Sequence, residues 1–96
     1  MDTYEIYNII PKLGTMELVH NKILRRPCNI LRLEIGRRGW LLVDVGDEEF
    51  GLHRVALSTV IGVRGAPGDS EICIETEYAF YYLRKISDYS KQHYPE

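Results

Sequence analysis

Hydrophobic and polar residues alternate along most of this chain, and a period of two residues predicts β-strands. Residues 4–10 are rich in aromatic and β-branched side chains, and turn-forming residues follow at 11–14. Residues 29–36 and 40–45 alternate on either side of a tight turn that has glycine at both ends. These two segments predict a hairpin, in which one face of the first strand holds Leu31, Leu33 and Ile35.

The alternation continues in the second half of the chain. Residues 59–64 and 71–77 predict two strands on either side of the turn-forming segment 65–69. The second of these strands is expected to bury Ile72 and Ile74, because its glutamates occupy the other face.

Three segments carry helical signals. Residues 15–25 fit a helix that begins at Thr15 and ends before Pro27, but they also alternate, and we favour a strand because the surrounding segments are β-like. Residues 50–57 predict a connection with one helical turn. Residues 83–93 have apolar side chains at helical spacing, which predicts a short amphipathic helix.

Length and composition set the scale of the fold. The chain has 96 residues, of which 45% are hydrophobic and 27% are charged, which is typical of one globular domain spanning residues 1–96. The predicted fold is mainly β or α+β. It is a small antiparallel sheet or partly open barrel of five to seven strands, with a short C-terminal amphipathic helix.

The termini and the cysteines bear on the cellular setting. The acidic N-terminus lacks the basic and apolar regions of a signal peptide, and no apolar run approaches the ~20 residues that a membrane helix needs. The cysteines, Cys28 and Cys73, are too few for the disulfide framework of small secreted domains. We therefore expect free thiols, with Cys73 on the outer row of its strand, a cytoplasmic location and no membrane partner.

No motif for metal binding or catalysis is present. His20, His53 and His93 are far apart and have no ligand partner at a recognisable spacing. The carboxylates that follow the strand at 40–45 lack the spacing of a calcium loop, so a solvated loop is favoured over a cation site: Asp44, Asp47, Glu48 and Glu49. We expect no catalytic residue, no metal and no cofactor.

Positive charge is concentrated in residues 22–38, which hold six basic residues and one acidic residue although the whole chain has a net charge of −2. Arginine is well suited to bind phosphate, and a tryptophan can stack on a base. This pattern suggests a nucleic-acid-binding regulatory domain that uses Arg25, Arg26, Arg37, Arg38 and Trp40. Alternatively, the arginines pair with the outward glutamates of 71–77, and Trp40 lies in the core.

An aromatic run follows the last predicted strand, and residues 78–83 are expected to continue extended. Its two rows are Tyr78, Phe80 and Tyr82 on one face, and Ala79, Tyr81 and Leu83 on the other. Because both rows are apolar, one is expected to be covered by the C-terminal helix and the other by a partner chain. Alternatively, the segment is an ordinary core strand. The leading hypothesis is therefore a small non-enzymatic interaction module that binds a protein partner, or a second copy of itself, through Tyr78, Phe80, Tyr81 and Tyr82. Nucleic-acid binding is the alternative.

Overall fold

The computed structural model describes residues 2–12, 18–46 and 51–87. Within these ranges the protein is a closed barrel of six antiparallel strands with one short helix. Each strand pairs with the next along the chain, and β6 closes the barrel against β1. The elements are β1 (Thr3–Pro11), α1 (Leu18–Ile23), β2 (Pro27–Arg32), β3 (Arg38–Asp44), β4 (Leu52–Arg64), β5 (Glu71–Thr76) and β6 (Ala79–Ser87).

The barrel interior is filled by alternate residues of the strands, so the predicted mainly β fold is confirmed. Ile72 and Ile74 are buried as predicted, and Tyr81 and Leu83 face them from β6. α1 adds Ile23 to the same core. Because closure leaves no unpaired strand edge, backbone hydrogen bonds are satisfied all the way round a very small sheet.

The hydroxyl group of Tyr4 connects the core to a loop. Tyr4 belongs to β1, and its ring is buried in the barrel core. Its hydroxyl donates a hydrogen bond to the carbonyl of Asp69 and accepts one from the N–H of Gly68. The side chain thereby holds the turn between β4 and β5 against the barrel.

The continuous extension predicted from residue 71 to 83 is wrong, because a turn at Glu77 and Tyr78 separates β5 from β6. The buried hydroxyl of Thr76 accepts hydrogen bonds from the N–H groups of Tyr78 and Ala79 and donates to the carbonyl of Ala79. These bonds satisfy the turn locally, so the chain reverses and β6 returns along β5.

Two other segments also differ from expectation. The favoured strand at 15–25 is wrong in the part described, because Leu18–Ile23 form α1. Residues 52–57 are strand and not a helical connection, because they pair with β3 along its length. β4 is consequently 13 residues long, and its register shifts let its first half pair with β3 and its second half with β5.

The hairpin of β2 and β3 is present, but β2 ends at Arg32 and not at residue 36. Leu31 and Ile35 are exposed, contrary to the predicted apolar face, because the register shifts between Ile30 and Arg32. Leu33 does pack against the core.

The predicted C-terminal helix is not confirmed. Residues 83–87 belong to β6, and the rest of that prediction lies outside the described residues. In the described ranges, no helix has the length and apolar character needed to cross a membrane.

Candidate functional site

One outer surface of the barrel is strongly cationic. We call it the basic face: the outer side of β2, β3 and the first half of β4, together with α1. Strand β3 directs Arg38 and Trp40 outward, because Leu41 and Val43 occupy its inner face. In the described residues this face carries six cations against two carboxylates: Lys22, Arg26, Arg32, Arg37, Arg38 and Arg54 against Glu34 and Asp44.

Within the described residues, most of these cations are not neutralised by a carboxylate. Glu34 lies 3.5 Å from both Arg32 and Arg37, so one carboxylate is shared by two guanidinium groups. Among the described residues, no ion pair involves Lys22, Arg26, Arg38 or Arg54. The predicted pairing of the arginines with the glutamates of 71–77 is therefore absent from this face in the part described.

Trp40 lies at the centre of the basic face and not in the core. The strand register places Arg32 on one side of it and Ala56 on the other. Its half-buried ring, together with Leu31, Arg32 and Arg54, lines a shallow depression of about 390 Å³. An indole edged by two guanidinium groups can stack on a base while the arginines contact phosphate.

A larger cavity, which we call the basic groove, lies at the end of this face beside α1. Its volume is about 620 Å³. Basic side chains come from α1, from the turn that follows it and from β4, and apolar side chains complete the lining: Lys22, Arg26, His53 and Arg54 with Ile23, Val45, Val55 and Ala56. Arg54 lines both the groove and the Trp40 depression, so the two sites adjoin.

A glycine leaves space for one guanidinium group of the groove. Gly46 has a φ of +82°, and a Cβ at that position would lie 2.8 Å from Nη1 of Arg26. Only glycine adopts this conformation readily and leaves the space. The Arg26 side chain therefore packs directly against the backbone at the end of β3.

The five residues predicted to bind nucleic acid are not all brought together. Arg25, with a φ of +69°, turns towards β1, where its Nη1 lies 4.0 Å from Glu5. Arg26 lines the basic groove, whereas Arg37 and Arg38 lie at the other end of the β2–β3 hairpin, about 20 Å away at the rise of a β-strand. Trp40 lies between them.

The sequence analysis missed His53 and Arg54, which lie in a segment predicted as a connection. They are separated from the basic segment along the chain and reach it only through the pairing of β3 with β4. Lys22 and Arg32 were counted in that segment but were not proposed as ligand-binding residues. Residues 52–57 do not alternate between polar and apolar types, so the sequence pattern gave no signal that would have placed these side chains on a strand.

The predicted aromatic interface is split by the alternation of β6. Tyr81 is 0% exposed and belongs to the core, so it cannot contact a partner. Tyr78 is 60% exposed at the β5–β6 turn, and Phe80 and Tyr82 are half-buried on the outside. Ile10, which is 43% exposed, lies beside Phe80 in the register of β1 and β6.

Cations on this second surface have partners within the barrel. We call it the balanced face, the outer side of β5, β6 and β1. The ammonium group of Lys12 lies 2.6 Å from Glu75 and 4.9 Å from the centre of the Phe80 ring. The guanidinium of Arg84 lies 4.6 Å from the centre of the Tyr7 ring and 3.5 Å from Glu5.

The two cysteines occupy different environments, and both are free. Burial raises the pKa of the Cys28 thiol to about 12. Cys73 lies on the outer row, as predicted, beside Tyr82. Charge repulsion from Cys73 is the main cause that raises the pKa of Tyr82, followed by desolvation and a hydrogen bond between the two side chains.

Within the described ranges, no three His, Cys, Asp or Glu residues converge as metal ligands would. Of the acidic segment considered above, Asp44 ends β3, and its carboxylate accepts a hydrogen bond from the N–H of Gly46. Asp47, Glu48 and Glu49 lie outside the described residues.

No protein-family model matches this chain, and neither the curated proteins nor the solved structures include a significant match.

Proposed function

We propose that this chain is a small non-enzymatic binding module that binds single-stranded nucleic acid through the basic face. The observation that carries the proposal is the juxtaposition of Trp40 with Arg32 and Arg54 in one depression. Proteins that bind single strands combine a cationic surface, which follows the phosphates, with aromatic rings on which bases stack. The basic face offers both on adjacent strands.

Charge distribution supports the proposal. The net charge of the chain is −2, yet the described part of the basic face carries six cations and two carboxylates. Clustering like charges disfavours folding, because neighbouring cations repel one another. A polyanionic ligand would remove that repulsion on binding.

The experiment is a titration of fluorescently labelled oligonucleotides of about 12 nucleotides, followed by anisotropy at about 50 and about 200 mM salt. We expect binding at low salt that weakens steeply at higher salt, together with a change in the emission of Trp40, the only tryptophan in the chain. A matched duplex tests strand preference. Absence of binding to the single strand at low salt would refute the proposal.

Matched variants locate the site. Trp40→Leu removes the stacking ring and is expected to weaken binding about tenfold. Phe80→Leu removes a half-buried outer ring from the balanced face and is expected to leave affinity unchanged. Equal losses in the two variants would place binding elsewhere than the basic face.

The exposed apolar residues Ile10 and Tyr78 favour a second candidate function, self-association through the balanced face. The N–H of Lys12 bonds to the carbonyl of Tyr78, which brings the end of β1 to the β5–β6 turn and joins the two residues into one surface. Sedimentation velocity over a range of concentrations should then detect a dimer that Tyr78→Arg dissociates. A monomer at every concentration would exclude this function.

We also propose a cytoplasmic location, supported by the free thiols of Cys28 and Cys73. Fractionation of cells that express the chain would test this location. Recovery from an oxidising compartment would contradict it.

A further inference from the structure

The basic groove differs from the rest of the basic face in its shape. The Trp40 depression is shallow, whereas the groove has the larger volume of about 620 Å³ and lies between α1 and β4. Cavities of this size, roughly 300–1,000 Å³, are typical of sites that hold a small molecule. A groove of this size can hold a compact chemical unit.

The lining of the groove defines that unit. No described carboxylate lines the cavity, and its hydrogen-bond donors come from α1, from the turn that follows it and from β4: Lys22, Arg26, His53 and Arg54. Among the described residues, Asp44 precedes the lining residue Val45, and its carboxylate accepts a hydrogen bond from the N–H of Gly46 at 2.9 Å. These donors suit an anionic ligand, and guanidinium groups favour phosphate.

Apolar side chains complete the groove and imply a second part of the ligand. Ile23 belongs to the core, and Val45, Val55 and Ala56 are half-buried beside it. An inorganic anion would leave this apolar surface wet, whereas the sugar and base of a nucleotide would cover it. The lining thus matches a phosphate joined to a larger, less polar group.

Two features define the surroundings of the cations at the groove. The guanidinium group of Arg26 packs against Gly46, where a side chain would displace it. Lys22 precedes Ile23, whose buried side chain anchors the end of α1.

We propose that the basic groove binds one nucleoside phosphate unit, either as a free nucleotide or as the phosphorylated 5′ end of a strand. In the second case the inference rests on the proposed function, because the strand would continue from the groove past Arg54 to the Trp40 depression. A terminal phosphate carries a charge of about −1.5 to −2, more than the −1 of a backbone phosphate, so four converging basic groups favour the end of a strand.

The test compares two oligonucleotides of one sequence, both labelled at the 3′ end, of which one carries a 5′-phosphate. We expect the phosphorylated strand to bind about tenfold more tightly. Unlabelled adenosine monophosphate and inorganic phosphate serve as competitors. Displacement by the nucleotide, but not by inorganic phosphate at the same concentration, supports a site for the whole unit.

The outcomes separate this inference from the proposed function. Equal affinity for the two strands, with no displacement by the nucleotide, overturns the inference, and binding of the unphosphorylated strand still supports the proposed function. Conversely, a chain that binds the nucleotide but not the unphosphorylated strand has the groove site and lacks the proposed function.

Neighbouring arginines provide a matched pair of variants. Arg26→Gln removes a guanidinium group from the groove and is expected to lower the preference for the 5′-phosphate about tenfold. Arg25→Gln changes a residue that turns towards Glu5, and it is expected to leave that preference unchanged. Lys22→Gln, at an exposed position of α1, replaces the first variant if Arg26→Gln does not fold. An undiminished preference in the folded variant would overturn the inference.

Discussion

The basic face and the balanced face are outer surfaces of the same barrel, but their cations have different surroundings. On the balanced face, Lys12 and Arg84 each lie near both a carboxylate and an aromatic ring. On the basic face, Lys22, Arg26 and Arg54 surround a groove, and no described residue forms an ion pair with them. The same residue types therefore stabilise the fold on one side and are available to a ligand on the other.

The long strand β4 makes this difference possible. Its first half pairs with β3 and carries Arg54, and its second half pairs with β5 and carries Arg64. Both arginines are exposed, but one faces the groove and the other lies near Cys73 and Tyr82. Position in the barrel, and not residue type, assigns each cation its surroundings.

The largest expected effect tests which side of β6 belongs to the core. Tyr81→Ala removes a fully buried ring and should lower the free energy of unfolding by about 3–5 kcal/mol. Tyr78→Ala, at the exposed turn, should change it by less than about 0.5 kcal/mol. Urea denaturation monitored by circular dichroism measures both. Similar losses would contradict the assignment of Tyr81 to the core and Tyr78 to the surface.

The aromatic run at 78–83 also shows how much of the fold could be predicted from the sequence. Alternation placed Ala79, Tyr81 and Leu83 on one side correctly, because burial on one face imposes a period of two. It missed the turn at 77–78, although the buried series changes from even positions (Ile72, Ile74) to odd ones at that point. A continuous strand would have put the glutamates of β5 on the same side as the apolar Tyr81. That mixture of charged and buried residues on one face was the available sign of a turn.

The basic groove was less accessible to sequence analysis. The charge pattern identified Arg26, but His53 and Arg54 join it only through pairing between strands that are distant along the chain. Residues 15–25 satisfied both periods, so the local pattern could not decide between helix and strand. Tertiary packing favours the helix, because Ile23 packs against the core at the end of α1.

The next effect is a loss of stability at alkaline pH, which we expect from the buried Cys28. The pKa of Cys28 is about 12 in the folded chain and near 9.0 when unfolded, so between these values only the unfolded state loses the proton. The unfolded state then binds fewer protons, and stability falls as pH rises. From pH 9 to pH 11 this thiol should contribute a loss of about 2–3 kcal/mol.

Cys28→Ala is the control for this prediction, because it removes the titrating thiol. Urea titrations at several pH values should show a shallower fall in stability for the variant than for the original chain. Parallel pH profiles would contradict the burial of Cys28. In the native chain at pH 8, a thiol reagent should modify the half-buried Cys73 far faster than Cys28.

A smaller effect compares the two halves of β4 directly and assumes the proposed function. Arg54→Glu should weaken binding of a single-stranded oligonucleotide about tenfold or more, because it removes a phosphate contact and adds repulsion. It should also reduce the dependence of affinity on salt. Arg64→Glu makes the same change in charge at the other end of β4, outside the basic face, and should lower affinity far less. If the two variants weaken binding equally, the net charge of the chain governs affinity and not the basic face.

The smallest effect concerns stability, and its sign should differ between the faces. Arg84→Gln removes a guanidinium group that lies near Glu5 and Tyr7, so the free energy of unfolding should fall by a few tenths of a kcal/mol. Arg54→Gln removes one of several cations around the groove and so relieves their repulsion. The free energy of unfolding should therefore rise by a similar amount. Urea midpoints at low salt measure both changes, and added salt should shrink them. If Arg54→Gln also destabilises the chain, Arg54 stabilises the fold. That result would contradict the idea that repulsion among the cations of the basic face lowers stability.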